Sequence, residues 1–191
     1  MIRIENISKS FDGKVVIHNY SAEIPVGKTT CLMGPSGEGK TTLLRILSGL
    51  EKPDSGEIFG LYGKRVSMVF QEDRLCENLL AVTNIHMTAP LTITKQAILE
   101  AMEQIGLTDC SKQCVREFSG GMKRRTALLR ALFAKYDILL LDEPFTGLDA
   151  DSKDLVIAYL REHTVGKTVL LVAHDIEDAR SLGAETFIRL T

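Results

Sequence analysis

The strongest chemical signal in this chain is the run Gly34-Pro35-Ser36-Gly37-Glu38-Gly39-Lys40-Thr41-Thr42. It matches the pattern GxxxxGK[ST], with Gly34, Gly39, Lys40 and Thr41 at the defining positions. Glycines let the backbone wrap closely around an anion while successive N–H groups point inward. A helix that follows adds about half a positive charge at its N-terminus. Lys40 is then placed to reach the β- and γ-phosphates of a nucleotide, and the Thr41 hydroxyl to coordinate Mg²⁺. A tight structural turn would need neither the lysine nor the hydroxyl. The spacing does not fit GxGxxG, which argues against a dinucleotide.

A second signal is Ile138-Leu-Leu-Leu-Asp142-Glu143-Pro144. A short, wholly apolar run reads as a strand buried on both faces. Acids at its carboxyl end sit where open α/β sheets place their ligands. Asp142 would help hold Mg²⁺, and Glu143 would orient and deprotonate an attacking water. Alone, the pair could equally cap a helix or a turn. Beside a phosphate loop the metal needs a carboxylate, which favours the chemical reading. In Phe118-Ser-Gly-Gly-Met-Lys-Arg-Arg125, Ser119 is a helix N-cap, and Gly120 and Gly121 complete a second anion-ready terminus. By themselves these residues are only a cap, and Lys123, Arg124 and Arg125 read as a solvated face.

The elements that must position these residues alternate short apolar runs with helical stretches, which favours a parallel sheet covered by helices. Strand candidates are Ile2–Ile4, Val15–Ile17, Thr30–Met33, Val66–Phe70, Ile138–Leu141, Val169–Val172 and Thr186–Ile188. The first two, with Glu57–Phe59, lie among Asp-Gly and Gly turns and suggest a small antiparallel layer. Helices are expected over Thr41–Leu50, Lys95–Ile105 and Asp154–Arg161, the second with Thr94 as N-cap and Gly106 as its stop. An apolar helix is also expected over Ala127–Ala134. Between about Glu72 and Arg116 no strand signal appears, so this interval reads as a helical insertion. The expected organisation is one domain over 1–191, with a core of 1–71 and 137–191 and a helical subdomain at 72–136.

Composition bounds the answer further. The chain has 191 residues, 45% hydrophobic and 25% charged, with a formal charge of −2, which is a globular composition. Near-zero charge argues against a dedicated nucleic-acid binder. No apolar run approaches the roughly 18–20 residues of a membrane-spanning helix, and Met1–Asn6 lacks the pattern of a secretory leader. Cys31, Cys76, Cys110 and Cys114 form no CxxC pair and read as reduced thiols of a cytoplasmic protein. His18, His86 and His163 have structural or surface roles in this reading, and Met87 and Met102 belong to helix cores.

Taken together, the ordered segments resemble the nucleotide-binding subunit of an ATP-binding cassette (ABC) transporter. The resemblance implies an α/β fold: a P-loop NTPase (RecA-like) core with a small N-terminal antiparallel β layer and a helical subdomain insertion. Gly34–Thr42 is similar to Walker A, Gln71 to the Q-loop, Ser119-Gly120-Gly121 to the signature and Asp142-Glu143 to Walker B with its catalytic glutamate. Leu148-Asp149 is similar to the D-loop and His174 to the switch histidine. The implied mechanism packs two subunits head to tail, each ATP lying between one Walker A and the opposite signature. His174 would hydrogen-bond the γ-phosphate, Gln71 would sense it through Mg²⁺ and water, and Asp149 would couple the two sites. Phe11 resembles the aromatic that stacks on adenine, although a packed loop aromatic stays open at that position.

Asp142–Asp149 and Phe70–Leu75 resemble bacterial uptake subunits of the nitrate, sulfonate, taurine and thiamine type. The implied partners are transmembrane permease subunits, a second copy or a related ATPase subunit, and a substrate-binding protein in the full system. The implied location is the inner face of the cell membrane, with permease helices docking near Gln71–Val82. Met122 departs from the family's usual glutamine, which puts a ribose contact or inter-site communication in question. The Glu57–Val66 connection is short for the family, and little follows Thr186–Leu190, so dimerisation would lean on ATP and partner. Two other classes share parts of this pattern. A nucleoside monophosphate kinase shares the Gly34-Pro-Ser-Gly loop but lacks the later motifs. A non-transport or regulatory ABC protein is disfavoured by the missing heptad insertion and by the presence of Lys40, Glu143 and His174.

Overall fold

In the computed structural model, which describes residues 1–190, the chain begins with β1 (Ile2–Phe11), β2 (Lys14–Ile24) and β3 (Thr29–Met33). There follow α1 (Lys40–Leu47), β4 (Ser55–Phe59), β5 (Val66–Val69), α2 (Ala81–His86) and α3 (Lys95–Gln104). A 3-10 turn at Val115–Glu117 leads into α4 (Gly120–Phe133) and β6 (Ile138–Asp142). The chain closes with α5 (Ala150–His163), β7 (Thr168–Val172), α6 (Ile176–Ser181) and β8 (Thr186–Arg189).

β1 and β2 form an antiparallel hairpin across Asp12 and Gly13, both at positive φ (49° and 79°), the geometry that two-residue hairpin turns favour. β4 pairs on the other side of β1, giving the order β2-β1-β4. The second sheet is parallel throughout, in the order β5-β6-β7-β3-β8. Every residue of β6 and β7 is buried, as their continuous apolar sequences demand of strands covered on both faces. The two-residue period sorts side chains between two cores. Leu32, Leu140 and Leu170 pack with α1 and the antiparallel layer, whereas Cys31, Leu139 and Leu171 pack with α4, α5 and the insertion.

The insertion is helical, and its one strand-like pairing among the described residues is a bridge between Leu80 and Cys114. Thr94 caps α3 by accepting from the Ala97 N–H (3.2 Å), and Gly106 follows at φ 74°. Ile98, Ala101, Met102 and Ile105 supply the buried face at helical spacing. Met102 is fully buried, but Met87 is 62% exposed, contrary to its expected core role. It is the C-cap of α2 and shares the exposed face of Thr83, four residues earlier, away from the side that buries Ala81, Val82, Asn84 and Ile85. All four cysteines are free, and burial pushes the Cys31 thiol up to about 11. Among the described residues no helix is long and apolar enough to cross a membrane.

Candidate active site

The phosphate loop joins β3 to α1, as its motif requires. Gly39 starts the helix at φ 89°, and a Cβ there would meet the Val16 side chain and carbonyl oxygen at 2.9 Å. Only glycine satisfies both the backbone angle and the contact. Lys40 is buried, and its ammonium donates to the carbonyls of Gly34 (2.7 Å) and Pro35 (2.6 Å), which centres the charge over the loop. No acid occupies the first turn of α1, where the helix presents its positive end. A cavity of about 370 Å³ opens beside the loop, between residues 14–18 of β2, Gly37, Glu38 and Leu190. Phe11 pairs with Lys14 across the hairpin but does not line this cavity; it is 42% exposed, with the Lys9 ammonium 5.0 Å from its ring centre.

Asp142 ends β6 fully buried, and among the described residues neither carboxylate oxygen has a hydrogen-bonding partner at ordinary geometry. Burial holds its pKa above the usual carboxylate range; the Thr41 hydroxyl pulls the other way, Glu143 pushes it further up, and Arg124 and Lys40 pull it down. Two orphaned, buried oxygens beside a hydroxyl fit a divalent cation. Among the described residues no cluster of three or more metal-ligating side chains forms. Mg²⁺ suits such a place, because it is commonly held by one carboxylate together with substrate phosphates and water.

Glu143 follows at φ 49°, a conformation uncommon outside glycine. Its carboxylate, 14% exposed, lies 2.8 Å from Nε2 of His174, the second residue after β7. A carboxylate only accepts, so Nε2 carries the proton of this bond. Gln71 is exposed just beyond β5.

Ser119 caps α4, its hydroxyl accepting from the Met122 N–H (3.2 Å), and both Ser119 and Gly120 face solvent. A Cβ on Gly121 would sit 3.4 Å from the Gly147 carbonyl, so the signature turn abuts the loop that follows Glu143. Asp149 caps α5: its carboxylate accepts from the Ser152 N–H (2.8 Å) and hydroxyl (3.0 Å), which hold its pKa low. Both of its oxygens are thereby engaged within the chain.

Arg124 corrects the expectation of a solvated face. It is 3% exposed and donates to main-chain carbonyls of Phe70, Gln71, Asp142, Glu143 and Pro144. Its spacing offered a signal, for Arg124, Ala127, Leu128 and Ala131 follow the i, i+3, i+4, i+7 pattern of one buried face.

The carboxyl ends of the neighbouring strands β5, β6, β7 and β3 therefore carry Gln71, Asp142-Glu143, His174 and the phosphate loop in spatial order. Such a sheet with such a loop defines a P-loop nucleoside triphosphatase. The chain belongs to the ABC transporter family, whose model matches residues 17–146. It is 35% identical to an aliphatic sulfonates import ATP-binding protein of Pseudomonas syringae pv. tomato, over 98% of this chain and 80% of that one. It is 36% identical to a spermidine/putrescine import ATP-binding protein of Spiroplasma citri, over 95% of this chain and 57% of that one, so it spans little more than half of that relative. The dimeric structure of the ABC transporter cassette MJ0796 superposes with a TM-score of 0.87 at 28% identity, covering 100% of this chain and 94% of that one. A post-hydrolysis dimer of the same cassette bound to ADP and Pi is equally similar in fold, at 27% identity.

Proposed function

We propose that this chain is the ATP-hydrolysing subunit of an ABC importer, working as a head-to-tail pair with a second copy or a related ATPase subunit. The observation that carries the reading is the 2.8 Å contact of Glu143 with His174, on strands adjacent in the sheet that holds the phosphate loop. Lys40 and the N–H groups at the start of α1 bind and orient the phosphates. Thr41 and Asp142, with Gln71 at the edge, would hold Mg²⁺, which supplies charge neutralisation at the transferred phosphoryl group. Glu143 accepts the proton of the attacking water, and His174 fixes its carboxylate and would hydrogen-bond the γ-phosphate. Phe11, at the end of β1 and outside the cavity beside the phosphate loop, would bring its exposed ring onto adenine.

The solvent-facing N-terminus of α4 supports the paired arrangement. Ser119 with the N–H groups of Gly120 and Gly121 offers an anion site that would be completed by a phosphate held on the opposite subunit's Lys40. Asp149 would then act between the two sites through the cap it forms on α5. Several of the most similar relatives are import ATP-binding proteins by name, which favours uptake. Transmembrane permease chains and a substrate-binding protein would complete the system, with this chain held at the cytoplasmic face of the membrane as a single domain.

The test is affinity purification from detergent-solubilised membranes, followed by measurement of phosphate release from ATP. Recovery of a polytopic membrane protein that raises turnover is the expected result. Absence of any ATP hydrolysis, alone and in every complex recovered, would refute the reading.

A further inference from the structure

We infer that Arg124 is a positioning residue for hydrolysis: its buried guanidinium clamps the backbone of Glu143 to the turn carrying Gln71 and ties both to the signature helix α4. This rests on the assignment of Glu143 as the base in the preceding subsection.

The reason begins with the sheet. The β5-β6 ladder ends at the Val69–Leu141 pair, after which the two strands part. Carbonyls of Phe70 and Gln71 on one side, and of Asp142, Glu143 and Pro144 on the other, thus lie beyond the reach of the β5-β6 ladder. Arg124 inserts between them. Nη1 donates to Phe70 and Gln71 (3.3 Å to the latter), Nη2 to Asp142 (2.7 Å) and Glu143, and Nε to Pro144 (3.1 Å). The acid in contact is Asp73, 3.3 Å from Nη1. A planar fork with five N–H groups can serve two diverging segments at once; an ammonium cannot.

Glu143 is where this matters. A non-glycine residue at φ 49° persists only when its surroundings over-determine it. Here its N–H donates to the Val172 carbonyl (3.0 Å), and Arg124 holds the carbonyls before, at and after it. The left-handed turn brings the carboxylate onto His174. Farther along α4, Arg130 donates to the carbonyls of Asp73 (3.0 Å) and Arg74 (2.8 Å), so the same helix grips the segment after Gln71 a second time. Ser119 caps the start of this helix, so displacement of the signature is transmitted to the base through a side chain of the same helix.

The experiment compares wild type with Arg124→Met and Arg124→Lys in steady-state phosphate release, with nucleotide affinity measured separately by a fluorescent ATP analogue. Misplacing a catalytic group by an ångström costs about 10²-fold. The expected result is a kcat lower by about 10- to 100-fold in Arg124→Met and by at least about threefold in Arg124→Lys, with affinity within about threefold of wild type in both. Adding Arg124→Met to Glu143→Gln is expected to lower the residual single-turnover rate by less than about twofold, because the arginine acts through the glutamate. Should the methionine variant fail to fold, the charge-preserving lysine variant carries the same kcat-against-affinity comparison. Wild-type kcat in a folded variant, or a full further loss in the double variant, overturns the inference. A wild-type protein without turnover would instead refute the ATPase reading beneath it.

Discussion

Replacing Asp142 with asparagine tests the metal assignment through stability alone. Among the described residues both oxygens of Asp142 are buried without a hydrogen-bonding partner at ordinary geometry, and an unsatisfied buried polar group costs about 1–3 kcal/mol, more when charged. Asparagine keeps the shape and removes the charge. It retains polar atoms to satisfy and forfeits the pull of the Thr41 hydroxyl and the attraction of Arg124 and Lys40, so the net gain is set at about 1–2 kcal/mol. For a chain of this size each kcal/mol moves Tm by about 2–4 °C, and the ligand-free variant should melt about 2–8 °C above wild type.

The pH dependence has a definite sign. Burial raises the folded pKa of Asp142 above its unfolded value, so between the two the folded state binds the proton more tightly. Wild-type stability therefore falls as pH rises from the ordinary carboxylate range through the folded value, and the asparagine variant lacks that decline. The gap between the proteins should widen toward neutral pH and close in acid. Calorimetry in EDTA across that range measures it. Adding Mg²⁺ and ADP at about 100 times the dissociation constant should stabilise wild type by about 2.7 kcal/mol, whereas the variant should lose the Mg²⁺-dependent part. An asparagine variant less stable than wild type in EDTA at neutral pH, or with an undiminished Mg²⁺ increment, refutes the reasoning.

Three further outcomes follow from the assigned roles. Glu143→Gln, which preserves the size of the side chain beside His174, should lower kcat by about 10²–10⁴ while gel filtration with ATP reveals an accumulated dimer; a monomer with normal turnover would exclude Glu143 as the base. Lys40→Ala should lose nucleotide binding or turnover, measured by titration calorimetry and phosphate release, and unchanged values would remove the phosphate loop from the mechanism. Mixing Ser119→Arg with Lys40→Ala subunits should restore at most one composite site per pair, read as turnover of the mixture against wild type; two fully active sites would contradict the head-to-tail arrangement.

Much of this was legible along the chain because the governing constraints are local. The phosphate loop requires glycines, a lysine and a hydroxyl within nine residues of backbone, and the caps at Thr94 and Ser119 act over three residues. The apolar runs of β6 and β7 announce strands covered on both faces. Met87 departs from its expected core place because α2 buries Ala81, Val82, Asn84 and Ile85, and the helical period carries Met87 onto the exposed face with Thr83. Arg124 departs from the solvated face expected of basic residues in a row because its burial depends on two strands that part at the same point.

What the amino-acid order determined by itself is the set of chemical groups and the elements that bear them, since each is specified by backbone geometry and side-chain period over a few residues. Tertiary structure alone decided their assembly: the order β5-β6-β7-β3-β8 that sets Gln71, Glu143, His174 and Lys40 along one edge, the contact between Glu143 and His174, and the burial of Asp142 and Arg124. These depend on pairings between segments tens of residues apart, whose energies come from shared burial and hydrogen bonding across the sheet, and no local window of sequence contains both partners.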